Sequence, residues 1–308
     1  WGAPARLSHP RVRARNPAVA AGPGGRAVAV WRERVPGSEV RRRFSLPGGA
    51  PAGALAVRLG TRWRAVASVR SPAGWSPAGR VSPPARRERD VRAPDVAMAD
   101  SGEAIAAYAL DGRAWAVARG ATGAWGRPVP LSRGPEVATD PALAIDPGSG
   151  WGLAVWAARL DHPRSGRRWS VRAAVRPPGR PWEPARTLAA DLPGMPLPAA
   201  AVNGRGEAAV VWQADGTRAA NRSADGSWSA AELIAEASPA PLPGSVAVGP
   251  EGEAFALTSA SSGPPGAGRT ISLLLRRPPG GGWAPAAPGL AAGARALAID
   301  RAGGVVLL

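Results

Sequence analysis

The chain has 308 residues, with 39 basic against 22 acidic side chains, 40 Gly, 35 Pro, no Cys and a formal net charge of +17. Without cysteine there are no disulfides, thiol catalysis, Cys-ligated zinc or iron–sulfur clusters, and two histidines, His9 and His162, leave little for a multi-histidine metal site. The 45% hydrophobic content suffices for a core, no apolar run approaches the roughly 18 residues of a membrane span, and neither a metal nor an organic cofactor is expected.

In chain order, Trp1 opens the stretch WGAPARLS, which reads as the fourth strand of a unit. Two short apolar runs joined by a Gly-rich turn follow in PAVAAGPGGRAVAVW (17–31), the signature of a hairpin. Residues 26–52 then read as an insertion or a degenerate partial blade, and GALAVRLGTRWRAVASVR (53–70) as strands two and three, ahead of Trp75. The same hairpin pattern returns at 94–108, 141–156, 198–212, 244–258 and 294–308. Trp125, Trp182, Trp228 and Trp283 each begin a further Pro-containing or small-residue stretch. A third run, such as RAWAVAR (113–119), ends in an arginine shortly before the repeat Trp: Arg70, Arg119, Arg176, Arg222 and Arg277.

Each unit is therefore four antiparallel strands, and runs apolar at every position imply a sheet covered on both faces. Such sheets in tandem predict an all-β fold, a single-domain β-propeller of six blades with seven as the alternative. The units fall at 17–83, 84–132, 133–189, 190–236 and 237–290. A split unit of 1–16 plus 291–308 implies a last blade shared between the termini or a fragment of a longer chain. Since Trp1 rather than Met comes first, the N-terminus reads as truncated and a signal peptide would not be visible.

Trp-marked blades with the turn NRSADGSW (221–228) resemble the Asp-box, sialidase-like bacterial propellers, with Ser223, Asp225, Gly226 and Trp228 in a compressed version of the box. The resemblance implies the architecture and an extracellular or cell-envelope location. Sialidases of that kind use an arginine triad, a tyrosine nucleophile with a glutamate partner, and an acidic proton donor. The single tyrosine here, Tyr108, occupies the slot that other units fill with Trp31, Trp156 and Trp212, so it reads as blade packing and the sialidase chemistry is not carried over.

Asp100, Asp146 and Asp300 have Asn203, Gly249 and Gly22 as equivalents, which marks them as hairpin-turn residues. The repeat Trp residues read as packing between blades, and the arginines before them as cation–π partners. A Walker loop, a G-x-S-x-G elbow and an H-E-x-x-H helix are all missing, and no catalytic residue is assigned. What stands outside the repeat pattern is a binding face made by the loop RLDHPRSGRR (159–168), with Asp161, His162 and Arg164, and the connector PARRERDVR (84–92), with Glu88 and Asp90. Both follow even-numbered strands and emerge on one end of a propeller.

Residues 1–92 hold 19 arginines and 4 acids, so nearly all the net charge lies in the first third. Arg41, Arg42 and Arg43 there form a candidate polyanion patch, with Arg13 and Arg15 among the further arginines that could join it. These features lead to a non-enzymatic extracellular or envelope scaffold for a carbohydrate, an anionic polymer or a protein, with nucleic acid disfavoured. The alternative is a glycan-acting hydrolase or lyase with its active site on the loop face.

Overall fold

The computed structural model describes residues 4–44, 55–83, 90–121, 123–162, 166–236, 245–262, 269–286, 296–300 and 303–307. It is an all-β chain, and among the described residues the one helical element is the 3-10 turn Pro23–Gly25 and no helix is long and apolar enough to cross a membrane.

The first sheet contains β1 (Ala14–Ala21), β2 (Ala27–Phe44), β3 (Leu55–Ser71), β4 (Gly74–Trp75) and β5 (Gly79–Arg80). The second orders β6 (Val91–Met98), β7 (Ala104–Leu110), β8 (Arg113–Arg119) and β9 (Val129–Pro130). In the third, β10 (Val137–Ile145), β11 (Gly152–His162), β12 (Gly166–Arg176) and β13 (Arg186–Leu192) follow in sequence order. The fourth has β14 (Ala199–Val202), β15 (Ala208–Gln213), β16 (Gly216–Arg222) and β17 (Glu232–Glu236), and the fifth β18 (Ser245–Val248), β19 (Ala254–Ser262), β20 (Arg269–Arg277) and β21 (Ala284–Pro285). A last, two-stranded sheet pairs β22 (Leu297–Ile299) with β23 (Val305–Leu307). Neighbouring strands within every sheet are antiparallel.

One expectation fails in the first sheet. Residues 27–44 are a single long second strand paired with all of 55–71, so 53–70 holds strand three alone and 26–52 contains no separate partial blade in its described part. Pro36 and Gly37 break the apolar pattern, and the strand accommodates them with a register shift between Arg34 and Glu39.

The sheets are joined face to face by apolar layers. Val28, Val30 and Ala67 of the first pack with Val96, Ala106 and Tyr108 of the second. Ile105 and Ala116 meet Trp156 and Ala158; Val155 and Val171 meet Val210 and Trp212; Val211 and Ala219 meet Val246 and Leu275; Phe255 and Leu274 meet Leu297. This explains the second strands: all seven residues of β7 are buried, because each face meets a different neighbouring sheet. Trp156, Trp212 and Tyr108 are fully buried there. The repeat Trp residues seal the same layers, Trp125 between sheets one and two, Trp182 between two and three, Trp228 between three and four and Trp283 between four and five.

The recurrent arginines do something other than stack on the repeat Trp. Arg70, Arg119 and Arg222 donate Nη1 to the carbonyls of Gly25, Gly102 and Gly206 at 3.0, 3.3 and 2.7 Å. Those glycines sit at φ +70, +89 and +77 in the turn between the first two strands, where a left-handed residue leaves its carbonyl without a ladder partner. The ring that Arg222 does cover, at 5.4 Å, is Trp151 of the preceding sheet.

Successive first strands pack on one another from β1 through β6, β10, β14 and β18 to β22. Three of them share a defect. The pairing register slips at Arg15/Ala18, Arg92/Asp95 and Thr139/Ala142, and each slip contains a residue before proline in the left-handed region: Asn16 (φ 51), Ala93 (φ 39) and Asp140 (φ 43). Proline has no N–H to give the ladder and crowds the residue before it. A β-branch-free residue in this conformation is uncommon and strained by about 1–3 kcal/mol.

Candidate functional site

The three bulged residues meet at a funnel of about 570 Å³. Arg13, Arg15 and Asn16 come from the start of the first sheet, Arg32 from β2, Trp63 from β3, Asp90, Arg92 and Ala93 from the start of β6, and Asp140 from β10. Local pairing brings the first group together: Arg15 lies opposite Arg32, Arg34 lies opposite Trp63, and the Arg34 N–H donates to the Arg13 carbonyl at 2.9 Å.

Four arginines face two carboxylates, so the lining carries an excess of positive charge. Arg92 Nε donates to Asp90 Oδ2 at 2.7 Å, and Arg32 Nη1 lies 3.9 Å from Asp90 Oδ1 while donating to the Val91 carbonyl at 3.2 Å. Trp63 supports the guanidinium groups of Arg32, 4.6 Å from its ring, and Arg15, at 5.8 Å. Arg32 is mostly buried, and its Nε has no hydrogen-bond partner among the described residues. Burial holds its pKa below the ordinary arginine value; Asp90 opposes this, and the like charges of Arg15 and Arg92 add to it. Such a cluster is relieved by a bound anion, because arginine presents a planar fork whose N–H groups donate in pairs to carboxylate or sulfate oxygens.

Asp140 differs from Asp90. Its side chain is exposed and makes no hydrogen bond or ion pair with described residues, although its backbone is strained. Behind the funnel, Asp95 fastens β6 to β10: Oδ2 accepts the Leu143 N–H at 2.8 Å and Oδ1 the Val96 N–H at 2.9 Å. Burial pushes the Asp95 carboxyl above its usual pKa against those two hydrogen bonds.

Of the residues expected on the loop face, Asp90 lines the funnel. Glu88 and Arg164 lie outside the described residues. Asp161 and His162 end β11 opposite Arg167 and Gly166, and Arg41, Arg42 and Arg43 lie in β2 opposite Arg58, Val57 and Ala56; for these five only the backbone is described. The sequence reading overlooked Trp63, Arg32, Arg92 and Asp140. The available signal was the dipeptides Asn16–Pro17, Ala93–Pro94 and Asp140–Pro141, recurring at the same place in three units. Tyr108 is far from any nucleophilic role: it is buried, donates to the Val81 carbonyl at 3.1 Å, and burial drives its pKa well above the usual phenol value. Asp146 and Asp300 are turn residues, accepting N–H bonds from Ser149 and Gly304 at 2.7 Å.

No protein-family profile matches the chain, and no curated protein is similar to it. Solved structures are. They include Zg3597, a family 117 glycoside hydrolase of the marine bacterium Zobellia galactanivorans, 13% identical over 85% of this chain and 83% of that one, with a TM-score of 0.43. The leech intramolecular trans-sialidase is 9% identical over 96% of this chain and 64% of that one, with a TM-score of 0.47. The intramolecular trans-sialidase of Ruminococcus gnavus is 7% identical over 95% and 89%, with a TM-score of 0.41. The chain is thus similar in architecture to sialidase-like and glycoside-hydrolase propellers. These comparisons correct the expectation of a non-enzymatic scaffold, since the similar propellers are mostly named as glycan-acting enzymes.

Proposed function

We propose that the chain is a glycan-acting hydrolase or lyase, extracellular or in the cell envelope, with its active site in the funnel between the first three sheets. The observation that carries this reading is a carboxylate without a partner among the described residues, Asp140, in the same cavity as an arginine-held carboxylate, Asp90, and an arginine cluster with unspent donor capacity. In this reading Arg13, Arg15 and Arg32 hold an acidic sugar. Asp140 transfers the proton, and Asp90 keeps Arg92 and Arg32 in place beside it. A hydrolase protonates the leaving oxygen and adds water; a lyase removes the proton next to the sugar carboxylate and expels the leaving group, the arginines stabilising the developing charge.

We also propose that the six sheets are blades of one closed ring, the split last blade adjoining the first. The support is that Ala29, Trp31 and Val66, with Leu7 and Trp75, make an apolar layer on the first sheet like those between the other sheets.

The test is turnover of a panel of uronate-containing, sulfated and neutral glycans by the full chain, read by new reducing ends and by the ultraviolet absorbance of an unsaturated product. Turnover of an acidic glycan, reduced about 100-fold or more in D140N, is the expected result. Turnover of neutral glycans alone, undiminished turnover in D140N, or no turnover of any member overturns the reading.

A further inference from the structure

The two strands that supply Arg32 and Trp63 are much longer than their counterparts. β2 and β3 have 18 and 17 residues, whereas the matching β7 and β8 have 7 each. Beyond Trp63 the pairing continues to Leu55, which adds roughly 26 Å of two-stranded ribbon. It begins where the funnel ends, because Arg32 and Trp63 line the cavity and Arg34, opposite Trp63, is the next paired position outward. The ribbon therefore continues directly from the strands that line the site.

Its sequence is basic. Between Val35 and Thr61 the described residues hold Arg41, Arg42, Arg43 and Arg58 against the single acid Glu39. Pairing intensifies this: Arg41 lies directly opposite Arg58, and Arg43 is two positions along the same face. Like charges directly opposite one another destabilise a ribbon, and a two-stranded ribbon is marginal to begin with. A multivalent anion laid along that face reverses both effects. The extension contributes one aromatic residue to its described strands, Phe44, which is poor provision for stacking successive bases.

We propose that the β2–β3 ribbon binds an anionic polysaccharide, so that the substrate is a polymer held along the ribbon while one of its units enters the funnel. This rests on the glycan-acting reading for the identity of the polymer. The binding itself is separable from turnover.

The experiment measures binding of the full chain to polygalacturonate, to uncharged dextran of matched length and to duplex DNA, across a salt series. Polygalacturonate is expected to bind in preference to both, with an affinity that falls as salt rises, and the R41A/R42A/R43A variant is expected to bind it about tenfold more weakly with a shallower salt dependence. R41K/R42K/R43K, which keeps the charge, is expected to retain most of the binding, and R58A to lose part of it, with circular dichroism confirming that each variant is folded. Ribbon-dependent binding without turnover leaves the inference standing and sinks the enzymatic reading. Unchanged binding in both the triple Ala variant and R58A, or duplex DNA bound as tightly as polygalacturonate, overturns the inference.

Discussion

The guanidinium of Arg32 lies 4.6 Å from the ring of Trp63, so the aromatic residue of the funnel is occupied by a protein cation. Trp63 is a support for the arginine cluster. Trp63→Ala is expected to weaken binding of an acidic monosaccharide by about 3- to 30-fold, the range for losing a partly desolvated cation–π contact of about 0.5–2 kcal/mol. Isothermal titration checks this; an unchanged affinity removes the supporting role.

Asp140 combines a strained backbone with an unpaired carboxylate. Asp140→Gly removes the left-handed penalty, offset in part by the flexibility glycine adds to the unfolded chain. The variant is expected to be about 1 kcal/mol more stable in urea and yet inactive. Losing stability on this change would show that the bulge is relaxed.

Tyr108 serves packing and one hydrogen bond. Tyr108→Phe is expected to cost about 1 kcal/mol through the unpaired Val81 carbonyl and to leave turnover within twofold. A loss of turnover of 100-fold or more would restore a catalytic tyrosine.

Asp95 gives a pH dependence of defined sign. Its folded-state pKa is raised above 3.8, so the folded protein holds the proton more tightly than the unfolded chain does. Its ionisation therefore costs stability as pH rises through the folded value, and acidification from neutral pH towards the ordinary carboxylate value recovers it. The difference in Tm between the unmodified chain and Asp95→Asn should change with pH in that window and be constant well above it. A constant difference throughout would mean that the Asp95 hydrogen bonds cancel the effect of burial.

The blades were legible in the sequence because their signals are local. The run Ala104–Leu110 is apolar throughout, and such a run needs cover on both faces wherever it sits. Trp125 and Trp228 were visible for the same reason, and each proves to bridge the arginine that ends the preceding strand. The position of Arg222 was legible but its partner was not, since the open carbonyl of Gly206 exists only once the turn is formed. The funnel lay further out of reach. Arg15, Trp63, Arg92 and Asp140 lie on four strands of three sheets, and only packing of successive first strands brings them together. Asp90 stood out because it sits in a connector outside the repeat pattern, while Arg32, inside a strand, looked like part of it.

The proline that follows each bulged residue has an effect of its own. First strands are edge strands of their sheets, and an edge with a free row of N–H groups invites any extended chain to add to it. Pro17, Pro94 and Pro141 interrupt that row at the mouth of the cavity, where a stray peptide would enter. The three sheets are thereby guarded against zipping onto the edges of another molecule.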